Sequence, residues 1–144
     1  MKYELMINIA RWNRREETMN ISIKRVYEPP AEDDGLRVLV DRLWPRGLSK
    51  EKVKADLWLK EVAPSHELRR WFHHESTLWE EFRKRYLAEL GSQQETVHEL
   101  LKLTEKGKVT LLYSASNEEQ NQAVVLRDYL QQLQSANDQV NKAS

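Results

Sequence analysis

Arg37-Val38-Leu39-Val40-Asp41-Arg42-Leu43-Trp44-Pro45-Arg46-Gly47 is the stretch that decides the fold: an apolar run that stops abruptly in charge, aromatic, proline and glycine. A strand predicted over Leu36 to Leu43 carries apolar residues at consecutive positions, Val38, Leu39 and Val40. Both of its faces are therefore covered, as in a central strand of a parallel sheet. Pro45 ends the ladder and Gly47 loosens the chain, so the strand delivers Asp41, Arg42, Trp44 and Arg46 into a polar loop.

Upstream, Ile21 to Tyr27 is β-branched and partly alternating, which predicts a strand stopped by Pro29-Pro30 and followed by an Asp33-Asp34-Gly35 turn. Downstream, Ser49 suits the N-cap of a short helix from Lys50 to about Lys54. Leu57-Trp58-Leu59 fits a strand or a helical turn equally. From Pro64 the pattern turns helical. Ser65 can cap a helix carrying Leu68, Trp71 and Phe72. Thr77 with Glu80 and Ser92 with Glu95 have capping-box spacing ahead of two apolar stripes, which stop at Gly91 and Gly107. Val109 to Tyr113 is the last predicted strand, and Ser116 with Glu119 predicts the start of a helix carrying Val124, Val125, Tyr129, Leu130 and Leu133.

This order predicts an α/β domain: a small, mostly parallel sheet of three to four strands flanked by helices in a Rossmann-like three-layer arrangement. The 144 residues suit one domain. Residues 1–18, where apolar Ile7, Ile9 and Trp12 give way to a charged run, are expected to be an N-terminal extension. Residues 19–133 form the domain, and 134–144 a frayed polar tail.

Lys plus Arg equals Asp plus Glu at 23 each, so no global field attracts nucleic acid or an anionic membrane, and any anion site is local. No apolar run has bilayer length and none resembles a signal peptide, so a cytoplasmic location is expected. Cysteine is absent, which removes disulfides, thiolate nucleophiles and Cys-based zinc sites. His66, His73, His74 and His98 lack metal-ligand spacing, and no metal site is expected; the other role weighed for them, and the less favoured one, is that one of His73 or His74 lines the cleft as a titrating group. With no Ser-His-Asp order and no glycine-rich phosphate loop, no cofactor is predicted.

Lys24-Arg25-Val26-Tyr27-Glu28-Pro29, then Leu39 through Gly47, then Thr110-Leu111-Leu112-Tyr113-Ser114-Ala115 together resemble the YeaO-like branch of a bacterial family, domain-of-unknown-function family 488. The resemblance spans Met19 to Leu133. It implies a compact α/β domain with no established activity, and Met19 as the usual family start. Many members of the wider family have a cysteine at the end of the last strand and a Cys-His-Arg cluster after it. Tyr113-Ser114 and Asn121-Gln122-Ala123 stand there in this chain, so thiol or metal chemistry does not carry over. The branch pattern also implies histidine after Asn121 and lysine at position 116; Gln122 and Ser116 depart from it.

Ligands of open parallel sheets bind beyond the carboxyl ends of the strands. With the strands parallel, Asp41, Arg42 and Arg46 face Ser114, Ser116 and Asn117 across one cleft. Tyr27 leaves the first strand at the same edge, and Trp44 is placed to stack on a base or sugar. Arginine forks and a helix N-terminus near Asn117 suit a small anion, phosphate or nucleotide-like. If the site supports hydrolase or transferase chemistry, Asp41 is its general base, kept ionised by its arginine neighbours. Three bland alternatives compete. Asp41 and Arg42 could serve as structural ion pairs, and the polar residues at Ser114, Ser116 and Asn117 as caps. The third is a binding module for nucleic acid or a protein, using Arg69, Arg70, Arg83 and Arg85 with the loop arginines; neutral overall charge argues against its nucleic-acid form.

Overall fold

Among the described residues, four parallel strands make the sheet: β1 (Ile21–Arg25), β2 (Leu36–Leu39), β3 (Leu57–Trp58) and β4 (Val109–Tyr113), in the spatial order β1-β4-β2-β3. The computed structural model describes residues 21–143, with side chains as far as residue 137. The expected extension over residues 1–18, with Ile7, Ile9 and Trp12, lies outside the described residues. β4 is central, pairing Ile21 with Val109 on one side and Leu36 with Val109 on the other, and all five of its residues are buried. Parallel neighbours need long crossovers. Between β3 and β4 the chain supplies α2 (His66–Phe72), α3 (Trp79–Gly91) and α4 (Gln94–Lys106); α1 (Lys50–Val53) joins β2 to β3, and α5 (Gln122–Ala143) follows β4.

Strand alternation sends two sets of side chains to opposite faces. Leu36, Val38, Val40, Val109, Leu111 and Tyr113 pack into one large core with α2 to α5. Leu39 and Leu112 point the other way, into a small core with Val26 and Val53, covered by Trp44, Leu48 and Trp58. The molecule is thus the expected three-layer α/β domain with one thick and one thin outer layer. Val38, Leu39 and Val40 are each 0% exposed, which explains why the run shows no alternation.

Ser49 and Ser65 cap as the sequence suggests, accepting from the Lys52 and Leu68 amides at 3.3 and 3.1 Å. The other helix starts differ. α3 begins at Trp79, after a 3-10 turn over Ser76–Leu78, without a side-chain cap. Ser92 donates its hydroxyl to the Glu89 carbonyl at 2.7 Å, closing α3 instead of opening α4. α5 begins at Gln122 because Asn117 accepts from the Glu119 and Gln120 amides, both at 2.9 Å, making a turn that competes with helix. Asn121 then caps through the Val124 amide at 3.1 Å. Buried Gln134 donates to Thr104 Oγ1 at 2.7 Å from α5, which runs to Ala143.

At the amino end of β2, Arg37 is 0% exposed and each of its three guanidinium nitrogens donates a hydrogen bond. It meets Asp34 at 2.5 Å, and it caps the end of α1 through the carbonyls of Val53 (2.6 Å) and Lys54 (3.1 Å). Gly35 precedes the strand with φ +66°, where a Cβ would lie 2.3 Å from the Lys108 carbonyl oxygen, so only glycine allows this approach.

Candidate ligand-binding site

Because β1, β2 and β4 run parallel, their exit loops gather at one edge of the sheet, and a cavity of about 600 Å³ opens there. Asp41, Arg42, Trp44, Arg46, Tyr27 and Ser114 all line it. Ser116 and Asn117 do not. Asn117 spends its side chain on the turn before α5, and Ser116 is exposed on that turn, so the late helix start takes both out of the cleft.

Asp41 forms the floor. β2 ends at Leu39, earlier than the sequence predicts, although the Val40 amide still donates to the Leu112 carbonyl at 3.1 Å. Asp41 follows at once, 7% exposed, with its carbonyl held by the Trp58 indole at 2.7 Å. Its Oδ1 accepts from Gln122 Nε2 at 2.5 Å, while Oδ2 has no hydrogen-bond partner among the described residues. Ser114 approaches the same carboxylate with hydroxyl and amide, without good geometry toward Oδ2. Burial pushes the Asp41 carboxyl above the usual aspartate value, against the opposing pull of Ser114, Gln122 and Arg69. The neighbouring arginines therefore do not hold this carboxyl at its ordinary value, since desolvation outweighs them.

Arg42 shows why. Its Nε and Nη2 donate to the carbonyls of Pro64 (2.9 Å) and Ala63 (3.1 Å), so this fork fastens the segment ahead of α2. Trp44 is also committed: its indole donates to the Leu48 carbonyl at 2.6 Å and its ring meets Trp58 edge-on at 5.3 Å. Arg46, by contrast, is exposed beside Gly47 at φ +80°, and its guanidinium has no acceptor among the described residues. Its carbonyl accepts from the Tyr27 hydroxyl at 2.9 Å, tying the exits of β1 and β2 together. Arg25 ties β1 to β4 by donating to the Ala115 and Ser114 carbonyls at 2.9 and 3.4 Å, with its guanidinium 4.8 Å over the Tyr27 ring.

The opposite wall comes from α2. Arg69 and Arg70 are exposed on it, line the cavity and have no side-chain acceptor among the described residues. The helix stops at His73, left-handed at φ 43°, and His74 follows at φ 56°. Two such non-glycine residues in succession turn the chain sharply, and both imidazoles line the cavity where sequence suggested one. His74 lies 5.6 Å from the Phe72 ring; burial, with Arg69 and His73 nearby, lowers its pKa and favours the neutral imidazole. Phe72 and Phe82, stacked on each other at 4.3 Å and almost fully buried, add apolar surface to the lining.

The wider basic patch is interrupted. Arg85 pairs with Glu81 at 3.0 Å and lies over Trp71, and Arg83 shares a shallow groove with Asp128 on another surface. Among the described residues no group of three or more His, Asp or Glu side chains is placed to hold a metal ion, and no helix is long and apolar enough to cross a membrane. Gln122 and Arg69 carry little signal in the sequence. Gln122 stands out only as a departure from the branch pattern, and Arg69 reads as part of an ordinary solvated helix face.

Comparison with known proteins agrees with the resemblance. A family model described as the inactive DUF488-N3 subclade matches residues 20–144. The chain is 50% identical over 115 residues to uncharacterized protein YeaO of Escherichia coli (strain K12), covering 80% of this chain and 100% of that protein. Uncharacterized protein Mb3100c of Mycobacterium bovis and a counterpart in Mycobacterium tuberculosis are 42% identical over 110 residues, covering 76% of this chain and 92% of theirs. No solved structure matches.

Proposed function

The chain belongs to the DUF488 family, and we propose that its cavity binds a small anionic ligand, phosphate- or nucleotide-like, in the cytoplasm. The observation that carries this reading is the set of three arginines, Arg46, Arg69 and Arg70, that line one cavity with no acceptor among the described residues. Arginine forks left unpaired at the carboxyl edge of a parallel sheet suit phosphate or carboxylate. The cavity volume lies within the roughly 300–1,000 Å³ typical of small-molecule sites.

Binding without turnover is the favoured form. The matching subclade is described as inactive, and the group holding Asp41 is the Gln122 amide, which relays no proton. Hydrolase or transferase chemistry is the second reading. Burial raises the proton affinity of Asp41, a property that suits a general base. A nucleic-acid or protein-binding module is less well supported, because the arginines outside the cavity are paired or face elsewhere.

Thermal denaturation at low salt, with inorganic phosphate and with nucleoside monophosphates, tests the proposal. Ligand at about 100 times its dissociation constant stabilises by about 2.7 kcal/mol, a rise of several degrees. The rise is expected in the wild type and lost in Arg46→Ala with Arg69→Ala. No shift with any anion, or a shift undiminished in the double variant, overturns it.

A further inference from the structure

We infer that this cavity takes a ligand carrying at least two phosphate groups, one held by Arg46 on the loop after β2 and the other by Arg69 and Arg70 on α2. The inference rests on the anion site proposed above and adds the valence of its ligand.

The chain as a whole is neutral, with 23 Lys and Arg against 23 Asp and Glu, but the cavity is not. Arg42, Arg46, Arg69 and Arg70 line it against the single carboxylate of Asp41, and no lysine or glutamate joins them. Arg69 acts on Asp41 directly, and burial pushes that carboxyl toward its protonated form, so Asp41 offsets one of the four positive charges at most. His66, His73 and His74 also line the cavity, and an imidazole adds no negative charge. An excess of at least three positive charges therefore faces the ligand, and a cleft lined by one sign of charge focuses its field there. A single phosphate supplies about 1.5 to 2 negative charges near pH 7, short of that excess, whereas two phosphates reach it.

Placement points the same way. Arg42 gives its Nε and Nη2 to the Pro64 and Ala63 carbonyls and contributes charge alone, whereas the exposed forks of Arg46, Arg69 and Arg70 have no hydrogen-bond acceptor among the described residues. Those three forks are rooted on two separate elements around a space of about 600 Å³, and one phosphate is small beside it. A guanidinium holds a phosphate through two parallel N–H bonds, so each wall is equipped to hold one. Two phosphates in one molecule make the second contact intramolecular, which raises affinity beyond what either wall gives.

Calorimetric titration of the whole chain in magnesium-free buffer at about pH 8, above the ordinary imidazole and second phosphate values, tests this. Adenosine monophosphate is compared with adenosine diphosphate and with adenosine 3′,5′-bisphosphate, which separate adjacent from spaced phosphates. At least one of the two is expected to bind on the order of 10–100-fold more tightly than the monophosphate, the range for added hydrogen bonds to a charged group. Arg46→Ala removes one wall and should bring that preference below about 5-fold, the scale of an exposed charge pair. The side chain removed is exposed, and the bond to Tyr27 uses the Arg46 carbonyl, which the variant keeps. Arg83→Ala removes an arginine outside the cavity and should leave the preference as it is.

Equal affinities for all three probes, with binding still dependent on Arg69, overturn the requirement for two phosphates and leave the anion site standing. A preference unchanged in Arg46→Ala, or lowered as much by Arg83→Ala, overturns the two-wall arrangement. Absence of binding by every probe overturns both readings.

Discussion

Two aspartates stand at opposite ends of the same strand and are treated in opposite ways. Asp34, ahead of β2, accepts from the Ala31 amide at 2.9 Å, from Lys24 Nζ at 3.1 Å and from Arg37 at 2.5 Å. Burial alone would raise its pKa, but the Ala31 amide with Lys24 and Arg37 overcomes that and holds the carboxyl below the ordinary value. Asp41, beyond β2, exposes as little surface but lies deeper in the protein, is approached by the uncharged Gln122 amide and by Ser114, and has its carboxyl pushed up by burial. One end of the strand is a closed ionic network that fastens α1; the other is a buried carboxyl beside a cavity, met by uncharged groups. Incomplete satisfaction of a buried group at a cavity is where function is sought.

The largest expected effect breaks the closed end. Arg37→Ala leaves Asp34 buried with less cationic support and frees the carbonyls that end α1, so urea denaturation should show a loss of about 3–5 kcal/mol. A loss below about 1 kcal/mol would mean that the network does not hold the fold. Acid titration gives the same contrast by sign. The contribution of Asp34 is fully present above the unfolded value of about 3.9 and is lost as pH falls through its lowered folded value. Asp41 binds its proton more tightly when folded, so its cost to stability appears as pH rises above about 3.9.

Smaller effects sharpen the picture at the open end. Arg42→Ala removes two bonds to the Pro64 and Ala63 carbonyls and should cost about 1–3 kcal/mol in chemical denaturation. Unchanged stability would return Arg42 to the set of arginines available for a ligand. His73→Gly relieves a left-handed backbone at φ 43° and should raise stability by about 1 kcal/mol in the same assay; a loss would show that the imidazole contributes more than the strain costs.

Much of the scaffold was legible because its cause is local. The unbroken Val38-Leu39-Val40 run signals a strand covered on both faces, and Ser49 and Ser65 sit next to the amides they cap. The edge at which Asp41, Arg46, Tyr27 and Ser114 gather followed from parallel strands. What failed depended on distant or competing partners. Capping-box spacing at Ser92 and Ser116 was genuine, but Ser92 bonds back to Glu89, and Asn117 captures the amides that would have opened the helix. The engagement of Arg42 depends on carbonyls more than 20 residues away, and Arg37 reads in sequence as the start of an apolar run although it is the most completely enclosed charge described. Arg69 and Gln122 join the site only once α2 and α5 are docked on the sheet.

Equilibrium urea denaturation of Asp41→Asn against the wild type at neutral pH tests most directly whether this carboxylate is kept for a ligand or for the fold. The amide has the same shape, keeps an acceptor for Gln122 and removes the cost that burial of this carboxyl brings as pH rises above about 3.9. The variant is predicted to be more stable by about 1 kcal/mol, the trade expected of a residue held for binding. A loss of stability would contradict the account and join Asp41 to Asp34 among the residues that hold the structure together.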